Sequence, residues 1–318
     1  MSKRSCLGYS FPLVIGVLVV FLVLFVVGFA SGPLGRSIFG DLGLPSWLSV
    51  PRPEPKLPAE EVFHLFGFSI TNSIVAAWLT IIVLVVFSYV VTRRLKLIPT
   101  RLQTFFEFAL GSLLNFCQRV AGEENGRRFF PIVATIFLFV ILNAWLSLLP
   151  GFGSILITNA EGESIHLLRA ANTDINMPLA LAVMSFAFVS YFGLRSLGAS
   201  YLGKFVNVGQ FFRSVGQLFR GKLRAGLSGM FTGIVNIFVG FLEALTELVR
   251  IVSFTLRLFG NMTAGEILLL MATFLIPFLF ALPFYGLELL IGFVQALIFA
   301  GLTLIFLTVA VAHGSERA

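Results

Sequence analysis

Charge is scarce in this 318-residue sequence: only 12% of its residues are Asp, Glu, Lys or Arg, about half the share of a soluble globular chain. Such a chain cannot present a charged surface to water on every side. Cysteine is scarcer, with only Cys6 and Cys117, which excludes a disulfide framework and a multi-cysteine metal site. The three histidines, His64, His166 and His313, lie far apart and make no metal motif. Glycine-rich phosphate loops, nucleophile elbows and zinc signatures are missing, as are the ten-residue alternating segments of a membrane barrel. No site for covalent chemistry is recognisable, and neither a cofactor nor a metal is expected.

What the sequence has in abundance is apolar residues, 58% of the total. Several runs reach the ~20 residues that a helix needs to cross a bilayer. The fold class that follows is an all-α polytopic membrane protein with about five to six transmembrane helices. The net charge of +7 would suggest nucleic acid in a soluble protein. Here the basic residues gather in loops and mark the cytoplasmic side instead.

Residues 11–30 are apolar throughout, behind Lys3 and Arg4. They are either a signal peptide with a small-residue site at Gly28-Phe29-Ala30 or a retained anchor, and the length of the run favours the anchor. A Pro- and Gly-rich stretch, 31–68, reads as irregular and external, and the next spans are 69–91, 129–149 and 178–194. Between the first two of these, 92–128 is either a helix lying along the membrane boundary or a cytoplasmic loop with one short helix. Residues 195–224 carry six basic side chains and no acidic one, the clearest cytoplasmic mark in the chain. Alternation then puts 92–128 and both termini inside, and 31–68 and 150–176 outside. Residues 227–312 read as a hairpin of two long, inclined arms broken near Pro277 and Pro283.

Only six charged residues lie between 225 and 312: Glu243, Glu247, Arg250, Arg257, Glu266 and Glu288. Ionisable groups inside a membrane usually mark an ion path or a pairing partner, although Glu247 and Arg250 could instead reach headgroups from helix ends. Positions 243, 247, 250 and 257 share one helical stripe, with Ser253 and Asn261 close to it. Glu266 is half a circle and about 13 Å away from Arg257 along a regular helix, so the two cannot pair. On the second arm Glu288 and Gln295 share a face. Pairing Arg257 with Gln295 centres the turn at 276, and pairing Glu266 with Glu288 centres it at 277. Two polar stations, one cationic and one acidic, therefore agree on one turn. The acidic pair can hold a proton between two carboxylates. Arginine stays charged, so Arg257 predicts a carboxylate from a partner subunit.

The stretch LRLFGNMTAGE (256–266) resembles the signature of subunit a of F-type ATP synthases. FHLFGFSITNSIVAAWL (63–79), PTRLQTFFEF (99–108), FFPIVATIFLFVILNAWLSLLPGFGS (129–154) and TDINMPLALA (173–182) resemble the same family in the same order. The resemblance covers roughly 60–312, leaving 1–59 as an N-terminal anchor or signal with its Pro-rich segment and 60–318 as the family-like domain. It implies a non-catalytic stator subunit with two offset proton half-channels against a rotating c-ring, coupling proton flow to ATP synthesis. Arg257 then matches the partner of the ring carboxylates, and Glu266, Asn261 and Gln295 match residues lining the aqueous routes. Glu243 matches an acid on the inward route, and Asp174 one on entry from outside. Glu288 stands where many relatives resemble a histidine, and Ser253 keeps its place beside the stripe.

The implied partners are the c-ring proteolipids, the peripheral-stalk subunit b, the catalytic head indirectly and the lipid bilayer, with no nucleic acid. The absence of an Arg- and Ser-rich transit peptide favours a bacterial cytoplasmic membrane. Alternative readings are the same machine driven by sodium, or a secondary transporter, for which no related halves are visible. A purely structural scaffold leaves Arg257, Glu266 and Glu288 unexplained.

Overall fold

A computed structural model describes residues 11–40, 45, 52–53, 58–65, 67–93, 101–158, 164–198, 201, 203 and 223–315. The expectations resting on Lys3, Arg4, Cys6, Arg94, Lys96, Glu161, Glu163, Lys204, Arg213, Arg220 and Lys222 lie outside these residues. The chain order is α1 Phe11–Ser31, α2 Pro33–Phe39, β1 Glu61–Leu65, β2 Phe68–Thr71, α3 Asn72–Arg93, α4 Arg101–Ala121 and α5 Glu123–Ser147. There follow β3 Leu156–Thr158, β4 Ser164–His166, α6 Asn176–Leu197, α7 Leu223–Leu275 and α8 Leu282–Ser315. Among the described residues, five helical segments are long and apolar enough to cross a membrane: Pro12–Ser31, Asn72–Arg93, Glu123–Ser147, Asn176–Leu197 and Phe278–Ala312. The chain is an all-α multi-pass membrane protein.

The expected spans are present with their ends moved by a few residues. α5 starts six residues earlier than hydropathy places it, because the polar run Glu123–Arg128 already forms its first turns. α4 is a full 21-residue helix, longer than a loop with one short helix would hold. It buries Leu113, Cys117 and Ala121, spaced four apart on one face, and exposes Phe105 and Phe108. Gly122 at φ 82 ends it, and a Cβ on Gly126 would meet the Gln118 backbone at 2.6 Å, so the α4–α5 corner requires glycine at both positions.

The hairpin turns where its polar pairs predict. α7 ends at Leu275 and Pro277 breaks the chain, because proline has no N–H to continue the ladder. Phe278 follows at φ 70 and a short 3₁₀ turn, Phe278–Ala281, leads into α8. Phe254 packs on Phe299 with ring centroids 5.0 Å apart, and Gly265 lies against the Glu288 carboxylate. The midpoint of each pair falls between 276 and 277. α7 has 53 residues and α8 has 34, so at 1.5 Å per residue they run about 80 and 51 Å. Both exceed what a perpendicular crossing of a ~30 Å hydrocarbon core needs.

The described parts of the segments expected to be irregular and external, 31–68 and 150–176, include regular elements. The first holds α2 and an antiparallel β1–β2 hairpin turned at Gly67, φ 86. The second holds an antiparallel β3–β4 hairpin. Backbone polar groups outside a helix still need partners, and short hairpins supply them locally.

Contacts divide the chain into two compact units. The first comprises Met1–Ala77, Asn143–Asp174 and Gly260–Val294, and the second Trp78–Leu142, Ile175–Phe259 and Gln295–Ala318. In the first, the Trp145 indole donates to the Leu289 carbonyl at 3.1 Å, and Gly292 leaves room for Ala144. In the second, Phe129, Val133, Val140, Leu258, Leu304 and Leu307 are fully buried. A buried hydroxyl pair, Ser185 and Thr303 at 2.8 Å, joins α6 to α8.

Candidate functional site

The first unit contains a cavity of about 580 Å³ whose lining includes Asn72, Arg169, Asn172, Thr263, Glu266 and Glu288. Glu266 reaches it from α7 and Glu288 from α8, so the hairpin brings together the acidic pair that the sequence pairs. The approach depends on Gly265, where any Cβ would overlap the Glu288 carboxylate. Glu288 is buried and Glu266 is half-buried. Asn72 Oδ1, Thr263 Oγ1, Arg169 Nε and Glu266 Oε2 are buried atoms with no hydrogen-bond partner among the described residues. Leaving such atoms unsatisfied costs ~1–3 kcal/mol each, and a roomy polar space of this kind suits water. The arrangement can therefore carry ions or protons along polar groups.

The segments carrying the two β-hairpins hold this cavity in shape. The His166 imidazole Nδ1 lies 2.6 Å from the Gly153 carbonyl, and the His166 backbone N–H donates to Glu60 at 3.3 Å. Asn72 at the start of α3 donates to the His166 carbonyl at 3.2 Å. Asp174 is buried and accepts a 2.6 Å hydrogen bond from Ser73, whose hydroxyl also lies 2.8 Å from Thr71. Its neighbours Asn172 and Thr173 line the cavity, and Asp174 itself does not. Asn261 is exposed on α7. The sequence reading passed over Glu60, Asn72, Ser73, His166 and Arg169. Arg169 had a readable signal, a cation five residues before Asp174. The others are common polar residues whose partners lie about 100 residues away.

The second unit holds the remaining residues. Glu247 is buried and pairs with Arg250 at 2.6 Å, and the Arg250 guanidinium sits 3.7 Å from the centroid of the Phe306 ring. Of the two readings open for this pair, the structure shows an internal ion pair capped by a cation–π contact. Glu243 is half-buried, Ser253 is exposed and Gln295 is buried. Arg257 is exposed, and no carboxylate among the described residues pairs with it. α7 is unbroken α-helix from Leu223 to Leu275, so no break separates Arg257 from Glu266.

Residues 74–308 match the family model described as ATP synthase A chain. The chain belongs to that family. It is 31% identical over 255 residues to ATP synthase subunit a of Citrifermentans bemidjiense, covering 80% of this chain and 94% of that protein. Identity to ATP synthase subunit a of Solidesulfovibrio magneticus is 29% over 253 residues, 80% of this chain and 89% of that one. ATP synthase subunit a 1 of Pelobacter propionicus is 31% identical over 236 residues, 74% and 86% of the two chains.

Family membership makes this chain a component of an ATP synthase complex, in its ion-transporting membrane sector. The matched region takes in α7, α8 and the cavity's helical walls, and leaves out α1, α2 and the β1–β2 hairpin. The site therefore combines family-matched helices with an N-terminal wall, through Pro53, Glu60 and Asn72, that the family model does not cover.

Proposed function

We propose that the chain is the non-catalytic stator subunit of an F-type ATP synthase, guiding protons through two offset half-channels against a rotating c-ring. The observation that carries this reading is Arg257, exposed and without a carboxylate partner among the described residues, while Arg169 and Arg250 each have one. A guanidinium is always charged, and leaving it unanswered at membrane depth is costly. The partner it awaits is the carboxylate of a ring subunit. Protons enter from outside through the cavity bearing Glu266 and Glu288, with Asp174, Asn261 and Gln295 along the route, and neutralise that carboxylate. The neutral site crosses lipid at little electrostatic cost, and after nearly a full turn releases its proton on the side of Glu243 and Ser253. Arg257 separates the two routes. Each charge crossing supplies ~2.3 kcal/mol per 100 mV.

In this reading the chain lies in a bacterial cytoplasmic membrane with its C-terminus inside, and meets subunit b of the peripheral stalk. α4 lies along the inner boundary. Residues 1–59 remain attached as an anchor and external segment, which is supported by the seating of Gly28 and Gly32 against the backbone carbonyls of Pro277 and Leu275. The test is Arg257→Ala in assembled complexes. ATP synthesis driven by a proton gradient should fall to background, and retained synthesis would remove Arg257 from the role given it.

A further inference from the structure

We infer that Arg169 is a positioning residue for the outer ion route: it holds the Glu266 carboxylate in the cavity and ties it to the external segment at Pro58. The inference rests on the reading of Glu266 as part of that route. Arg169 is 11% exposed, and its guanidinium divides between two partners. One terminal nitrogen donates to the Pro58 carbonyl at 2.9 Å, and the other lies 3.7 Å from Glu266 Oε2.

The backbone around Arg169 is fixed on both sides. Before it, the Leu167 N–H donates to the Ile155 carbonyl at 2.8 Å, and His166 is held by Glu60, Asn72 and Gly153. After it, the Thr173 N–H donates to Ala170 at 3.1 Å. A planar fork anchored this way presents a fixed positive charge to the Glu266 carboxylate, which a flexible lysine does less well. Glu60, His166, Tyr285 and Glu288 also line the cavity, so Arg169 and His166 are the lining residues among those described that can carry positive charge. A permanent cation cannot relay a proton. Arg169 therefore acts on the route through Glu266, and through the Pro58 contact it connects the route to a segment outside the family-matched residues.

The test is a double-mutant cycle on proton flow in membrane vesicles carrying the whole complex, with co-purification of the complex as the check on assembly. Arg169→Gln should lower flow roughly ten- to a hundredfold, and Arg169→Lys should restore part of it. The double variant Arg169→Gln/Glu266→Gln should lose no more than Glu266→Gln alone, because a residue acting through Glu266 has nothing left to position. Losses that multiply would overturn the inference and make Arg169 a structural residue only. Unchanged flow in Glu266→Gln would instead remove Glu266, and the outer-route reading with it. Should Arg169→Gln fail to assemble, the same cycle run with Arg169→Lys decides by the same criterion.

Discussion

Arg250, Arg169 and Arg257 are used in three different ways. Arg250 is neutralised by Glu247 three residues away and covered by Phe306, which removes one charge from the membrane problem locally. Arg169 is divided between a loop carbonyl and Glu266. Arg257 is left exposed. Spacing alone assigns Glu243, Glu247, Arg250 and Arg257 to one stripe, and only packing separates the satisfied from the unsatisfied. Gly265 belongs to the same scale. Gly265→Ala would push a methyl group into the Glu288 carboxylate, an overpacking that typically costs ~1–3 kcal/mol. Proton flow should drop severalfold with assembly intact, and normal flow would show that Glu288 does not need that position. Cys117 is fully buried on α4, and burial pushes its thiol up to about 11. Raised this way, it stays protonated through neutral pH and ionises only as pH nears that value. In a Cys6→Ser background a maleimide at pH 8 should label the denatured chain and leave the native one unlabelled.

At the scale of elements, α1 is the least expected contributor. Its hydropathy identifies a membrane helix, and its length favours an anchor over a cleaved signal. Its seat depends on two glycines one turn apart, Gly28 and Gly32, which let it approach the backbone at Pro277 and Leu275. That contact was invisible in the sequence because the partner lies about 245 residues away. Gly28→Leu/Gly32→Leu should lower the thermal stability of the detergent-solubilised complex, since neither carbonyl can yield to a side chain. Unchanged melting, or a mature chain whose intact mass lacks the first thirty residues, would remove α1 from this position. The β-hairpins teach a related lesson. EVFHL and FSIT alternate too weakly, over four or five residues, to stand out beside helices of twenty, yet backbone hydrogen bonding still organises them.

For the whole molecule, orientation is the claim most open to direct measurement. Arg195 and Ser164 are both exposed, on opposite sides of the membrane in the proposed topology. In a cysteine-free background, Arg195→Cys should react with a membrane-impermeant maleimide only in inverted vesicles and Ser164→Cys only in right-side-out ones. The opposite pattern would reverse the roles of the two routes.

The sequence by itself determined the class, about five to six apolar spans, the hairpin and its turn, and the placing of Glu266 and Glu288 on facing arms. These follow from helix periodicity, apolar run length and the backbone of proline, all of which are local. It also carried the family resemblance, which the match over residues 74–308 bears out. Only the tertiary structure decided that Glu247 and Arg250 answer each other internally, that Asp174 is held by Ser73 beside the cavity lining, and that Arg169 reaches Glu266. Those facts depend on which side chains meet across distant segments. In a chain this apolar, few polar residues exist to meet, so each meeting weighs heavily in where charge can stand.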